Sequence, residues 1–216
     1  MAAHLTARTL AQALLGRLQL TCPLLLPGAH IAPDDMETIS ANIDADCILR
    51  VRPDVHGKGF RQAYTVTLAL AYPATERTYD ELWSIAQRSD ADRYFPIVSS
   101  LHELTDFPSQ GLPASDPNAI DSLAQHVSAA IRTCISPMRT QASARAELER
   151  GRNSPWFSRI AYESWLPVVL LLEEGPSSGY RFACKVLEEM GPEESPRTIA
   201  YRQFVSNLRR RAETDA

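Results

Sequence analysis

The side chains best suited to exchanging protons or holding metal near neutral pH are five histidines, His4, His30, His56, His102 and His126. No two stand at the i, i+4 spacing of a helical metal pair, and His102-Glu103 lacks the second histidine of an HExxH helix. Cys134 follows His126 on one predicted helix, but eight residues of rise separate them by about 12 Å, too far for a nucleophile and its base. The other thiols, Cys22, Cys47 and Cys184, show no CxxC spacing. All four cysteines therefore read as reduced, small buried hydrophobes, and no metal is expected.

Gly57-Lys58-Gly59 is the glycine-rich loop nearest a strand, yet a strand and not a helix N-terminus follows it, so it reads as a hairpin turn and not a phosphate cradle. Ser109 and Ser177-Ser178 lack the GxSxG elbow of a hydrolase nucleophile. Paired carboxylates occur at Asp34-Asp35, Asp44 with Asp46, Glu173-Glu174, Glu188-Glu189 and Glu193-Glu194, and since adjacent residues on a helix point in different directions, most read as solvated faces and not acid/base pairs. No cofactor and no catalytic residue is expected.

Charge patterning is more informative. Between Ile31 and Leu49 the chain carries Asp34, Asp35, Glu37, Asp44 and Asp46 without a lysine or arginine. The next dozen residues carry Arg50, Arg52, Lys58 and Arg61 against Asp54 alone. Segregation on this scale steers partners and fixes register at an interface more than it stabilises a fold. These nine residues are the candidate partner-binding set, with internal pairing of the two halves as the competing interpretation.

Composition narrows the class further. A net charge of -4 and a pI near 5.8 argue against a general nucleic-acid binder, which needs an excess of cations on one face. Leu10 to Leu26 is leucine-rich, but Gln12, Arg17 and Gln19 recur through it at helical spacing and Pro23 and Pro27 interrupt it. It reads as an amphipathic helix, neither an export signal nor a membrane span, so a cytoplasmic protein is expected.

These residues need elements to position them. Leu10, Leu14 and Leu18 predict a helix over residues 3–20. Asp34 with Glu37 resembles a cap for a short second helix carrying Met36, Ile39 and Ile43. Residues 48–52 and 64–72 read as the strands of a hairpin, with 54–59 as its turn. In the second strand Tyr64, Val66, Leu68 and Leu70 alternate with Thr65, Thr67, Ala69 and Ala71, so a helix or another backbone should lie close above the small face. Thr78-x-x-Glu81 predicts an N-cap at Thr78 for a helix burying Tyr79, Leu82, Trp83 and Ala86, stopped at Ser89 to Asp92. A third strand is expected from Tyr94 to Leu104, a loop from Thr105 to Ser115, and a long helix from Asp116-Pro117 to Pro137. Residues 138–151 read as an exposed helix or arm, and apolar helices follow from Pro155, broken at Gly175 to Gly179.

The expected fold is α+β: an antiparallel sheet of three or more strands containing the 47–72 hairpin, packed by helices, with an all-helical C-terminal third. The division expected is a 1–137 core and a 138–216 helical extension packed on it. Three pieces, Phe60-Arg61-x-x-Tyr64-Thr65-Val66-Thr67-Leu68-Ala69-Leu70, Ser100-Leu101-His102-Glu103-Leu104 and Ile135-Ser136-Pro137-Met138, resemble the immunity proteins that bacteria encode beside polymorphic or contact-dependent toxins. The resemblance spans residues 47–138 and implies a non-catalytic protein that binds and neutralises a cognate toxin. Two other readings remain open: a regulatory or scaffold domain, and a small-molecule-binding protein or enzyme with a site between the sheet and the C-terminal helices, using His102, Tyr64, Arg61 and Glu103.

Overall fold

The computed structural model describes residues 5–23, 26, 28–32, 37–58, 61–85 and 95–214. It is an α+β protein whose strands form one six-stranded antiparallel sheet. Contacts group the chain into two compact units, Met1–Tyr72 with Asp90–Ala144, and Pro73–Ser89 with Arg145–Ala216.

The first unit opens with α1 (Ala7–Thr21), capped by Thr6, whose hydroxyl accepts from the Thr9 amide at 3.2 Å. Its stripe of Leu10, Ala11, Leu14 and Leu18 is buried, as the spacing predicts. The strands are β1 (His30–Ile31), β2 (Ile39–Asp44), β3 (Cys47–His56), β4 (Ala63–Ala71), β5 (Ile97–Ser100) and β6 (Leu112–Pro113). Their order is β1-β2-β3-β4-β5, with β6 pairing the start of β4.

The expected second helix is a strand instead. Ile39 and Ala41 alternate inward with Ser40 and Asn42 outward, and the β2–β3 ladder satisfies the backbone that a helix would have closed on itself. Asp34 and Met36 lie outside the described residues. The predicted turn at 54–56 is also strand, since β3 stays in register with β4 as far as His56↔Ala63. Pro53 is tolerated because β2 partners β3 only as far as Val51. The turn proper is tighter: Gly57 has φ +82°, and a Cβ there would come within 2.4 Å of the Arg61 carbonyl.

The third strand is shorter than expected. At Ser100 the chain turns into α3 (Leu101–Leu104), because the Glu103 carboxylate turns back to accept from the Ser100 amide at 2.9 Å. Tyr94 lies outside the described residues. The long helix is α4 (Ala119–Ala130), followed by a π turn at Ile131–Ile135 and a 3-10 turn at Ser136–Met138. Leu123, Val127, Ala130 and Ile131 are buried, and α1 and α4 together cover the apolar side of the sheet. A salt bridge from Arg17 to Asp121 at 2.7 Å and a hydroxyl contact from Thr21 to Ser128 at 3.0 Å join these two helices.

The second unit is helical: α2 (Pro73–Leu82), most of α5 (Gln141–Glu149), α6 (Arg159–Ser164), α7 (Leu166–Glu174), α8 (Pro176–Met190) and α9 (Pro196–Thr214). Pro73 starts α2, so Thr78 is a buried mid-helix residue and not an N-cap. The helix ends at Leu82; Ala86 and the expected stop at Ser89 to Asp92 lie outside the described residues. Trp83 stacks on Phe204 with centroids 4.4 Å apart, and the Trp165 indole donates to the Thr75 hydroxyl at 3.2 Å. Buried Glu163 is held by Arg159 and Arg197, while Arg145 gathers Glu149, Glu173 and Glu174 at 2.8, 2.9 and 2.5 Å. The expected break at 175–179 is confined to Gly175 at φ +97°. Gly179 already lies in α8, where a side chain would meet the Pro167 carbonyl at 2.4 Å.

No described helix is long and apolar enough to cross a membrane.

Candidate functional site

The sheet of the first unit has two unlike faces. Cys47, Leu49, Val51, Tyr64, Val66, Leu68, Leu70 and Ile97 point into the core. The register then fixes the opposite face: Arg50 lies across from Ser40 and Ala69, Arg52 from Thr67, Asp54 from Thr65, and Thr67 from Ser100. This face is at least partly open to solvent, with the Arg52 side chain 57% and Val98 41% exposed.

At the β3–β4 loop end of that face lies a half-open groove of about 480 Å³. β3 supplies Asp54 and His56, β4 supplies Thr65 and Thr67, and Ser100 and His102 come from the junction of β5 with α3. Phe107, Ser109 and Gln110 form the facing wall. The wall is built tightly. The Gly111 amide donates to the Pro108 carbonyl at 2.9 Å, closing a turn whose glycine has φ +81°. A Cβ at Gly111 would lie 2.5 Å from the Tyr64 carbonyl and 2.8 Å from Thr65 Cγ2. Gly111 meets the small face at Thr65 alone, at one end of β4, and is not the helix or backbone layer expected over that face. Behind the wall, Phe107 meets the His126 ring edge-on at 5.4 Å, and His126 Nδ1 lies 3.3 Å from Asp106.

The polar groups of the groove are largely unspent. Among the described residues, the side chains of His56, Thr65, Thr67, His102, Ser109 and Gln110 make no hydrogen bond to the protein. Asp54 is approached by Arg52 Nε at 3.5 Å. No group of three or more His, Cys, Asp or Glu able to hold a metal ion occurs among the described residues.

The nine residues expected to bind a partner are dispersed. Asp34 and Asp35 lie outside the described residues. Glu37 is exposed just before β2, while Asp44 and Asp46 are exposed at the β2–β3 turn, where the Asp44 carboxylate accepts from the Ala45 amide at 2.6 Å. Lys58 and Arg61 are exposed in the β3–β4 loop, at the other end of a ten-residue strand. At about 3.3 Å per residue the two ends stand roughly 30 Å apart. Arg50 and Arg52 lie between them on the open face, with the Arg50 guanidinium over the Phe95 ring at 4.6 Å.

The four residues of the enzyme reading do not converge. Tyr64 faces the core, where burial raises its hydroxyl pKa, and the Glu103 carboxylate is committed to Ser99 Oγ and the Ser100 amide. Arg61 is in the exposed loop, and His102 alone lines the groove.

Cys47 has the environment of an unreactive thiol. Burial, reinforced by the nearby Asp44 carboxylate, pushes its pKa up to about 12. Its neighbour Tyr72, also raised by burial, donates to the Met138 carbonyl at 2.8 Å.

Sequence reasoning missed the groove because its residues come from positions 54 to 110 and contain no motif. The available signal was the alternation in β4, which put Thr65 and Thr67 together on the non-core face. No protein-family model, curated protein or solved structure matches this chain.

Proposed function

We propose that this chain is a non-catalytic binding protein that receives a protein partner on the open face of its sheet, and that the partner is a cognate toxin which it neutralises. The observation that carries the reading is the layout of charge along β3. Asp44 and Asp46 lie at one end of the strand, Lys58 and Arg61 lie at the other, and exposed Arg52 lies between them. Asp44 and Asp46 are too far from Lys58 to satisfy it, so a charge gradient runs along the surface. A gradient of this kind orients an approaching partner and rejects one docked the wrong way round. The toxin version adds only the resemblance in residues 47–138.

The test is co-expression and titration calorimetry with the products of genes adjacent to this one. One-to-one association, together with protection of cells from that product, supports the reading. The double charge reversal Arg52→Glu with Lys58→Glu should slow association by about tenfold or more at low salt while the thermal transition stays in place. If no adjacent product associates, the toxin version fails; if one associates but ignores the reversal, the docking face lies elsewhere.

The groove favours a second reading, a small-molecule-binding protein. Its volume of about 480 Å³ sits within the roughly 300–1,000 Å³ range of small-ligand pockets.

A further inference from the structure

We propose that the groove beside His56 and His102 binds an uncharged, hydroxyl-rich ring of the size of a monosaccharide. The inference stands apart from partner binding on the sheet face and survives if that reading fails.

Charge comes first. Among the described residues Asp54 is the one carboxylate lining the groove, and Arg52, beside it on the same face, offsets it at 3.5 Å. Among the described residues, no lysine or arginine side chain lines the groove. An anionic ligand would therefore meet Asp54 without a lining cation to hold it, and a cation would compete with Arg52 for a single carboxylate. Either ion would also lose hydration on entry, and one half-neutralised partner does not replace that.

Hydrogen-bonding capacity comes next. Thr65, Thr67 and Ser109 offer hydroxyls that both donate and accept, Gln110 offers a carboxamide, and His56 and His102 offer imidazoles. None of these side chains is spent inside the protein among the described residues. A ligand matching them must present donors and acceptors in similar number over a short span, as vicinal hydroxyls on a ring do. Among the described lining residues Asp54 has no second acid with which to form the carboxylate pair of a glycoside hydrolase, so the proposal is of binding and not of cleavage.

Geometry supports retention. Thr65 and Thr67 are fixed by β-sheet register, and the facing wall is fixed by Gly111 against Tyr64 and Thr65. The acceptors and donors are thus placed before the ligand arrives, which lowers the ordering cost of binding.

The experiment is an amide chemical-shift titration of the isotope-labelled full chain with methyl glucoside, methyl mannoside and methyl galactoside, and in parallel with sodium phosphate and ethylammonium chloride. The expected result is a saturable shift, with at least one glycoside, confined to Thr65, Thr67, Ser100 and Gln110 and their neighbours. Thr67→Val and Gln110→Ala should each weaken it about five- to tenfold, the loss of one hydrogen bond. Gln110 is exposed in a loop, so that variant keeps the test valid should Thr67→Val not fold. The proposal is overturned if no glycoside gives a saturable shift, if phosphate or ethylammonium alone moves these amides, or if both variants bind as the parent does.

Discussion

Leu68 and Thr67 are neighbours on β4 with opposite tasks. Leu68 has no exposed surface, while Thr67 sits between Arg52 and Ser100 on the open face with its hydroxyl unspent. The same alternation runs along β3, where Leu49, Val51 and Pro53 are buried and Arg50, Arg52, Asp54 and His56 are not. The core face spends all of its side chains on stability. The open face leaves much of its polar capacity unspent, and on the proposed readings that capacity serves a ligand or partner.

That contrast can be broken most sharply within β4. Leu68→Ala should cost about 2–5 kcal/mol of unfolding free energy in a urea titration, since the cavity it leaves lies between strands that cannot collapse. Thr67→Val, one residue away, should stay within about 0.5 kcal/mol. Comparable losses at both positions would defeat the assignment of faces. Gly111→Ala joins the two faces: its positive φ and the 2.5 Å approach to the Tyr64 carbonyl predict a loss of about 1–3 kcal/mol. The Thr65 amide resonance should move with it.

Cys47 tests the core face through pH. Its folded pKa, about 12, lies above its ordinary 9.0. Below pH 9 both folded and unfolded thiols keep the proton, and the buried neutral form contributes fully. As pH rises from 9 toward 12 the unfolded thiol ionises first, so stability falls across that window. Cys47→Ala should make the decline of the urea midpoint with pH shallower, and an unchanged slope would contradict it. Buried Tyr72, shifted in the same direction, keeps part of the slope in the variant.

The smallest stability effect belongs to the open face. Arg52→Ala removes only an exposed contact to Asp54 and should change stability by less than about 0.5 kcal/mol. Its effect should appear in partner association rates measured at two ionic strengths.

Local signals in the sequence were uneven guides. The alternation in β4 and the leucine stripe of α1 each name one periodicity, and the structure agrees with both. Met36, Ile39 and Ile43 mimic a helix face, while Ile39 and Ala41 alone alternate, so a short segment supports two periods and the neighbouring strand decides between them. The pattern Thr/Ser-x-x-Glu occurs twice with opposite outcomes. At Ser100 and Glu103 it caps a helix; at Thr78 and Glu81 it falls inside one that Pro73 had already begun. The groove was illegible for a different reason. Thr67 and Ser100 are partners only through strand register, and Gly111 reaches Thr65 only after β6 pairs with β4, so no window of sequence contains the site.

The π turn at Ile131–Ile135 acts as a spacer in helical phase. Each i to i+5 bond takes up one residue more than an α turn, so Ser136–Met138 begin about 100° behind where an unbroken α4 would have carried them. Met138 nonetheless presents its carbonyl to Tyr72 at 2.8 Å. Deleting a single residue such as Thr133 would let the helix run true and swing that carbonyl away from the tyrosine, so the chain length between Ala130 and Met138 is itself part of the specification of the core.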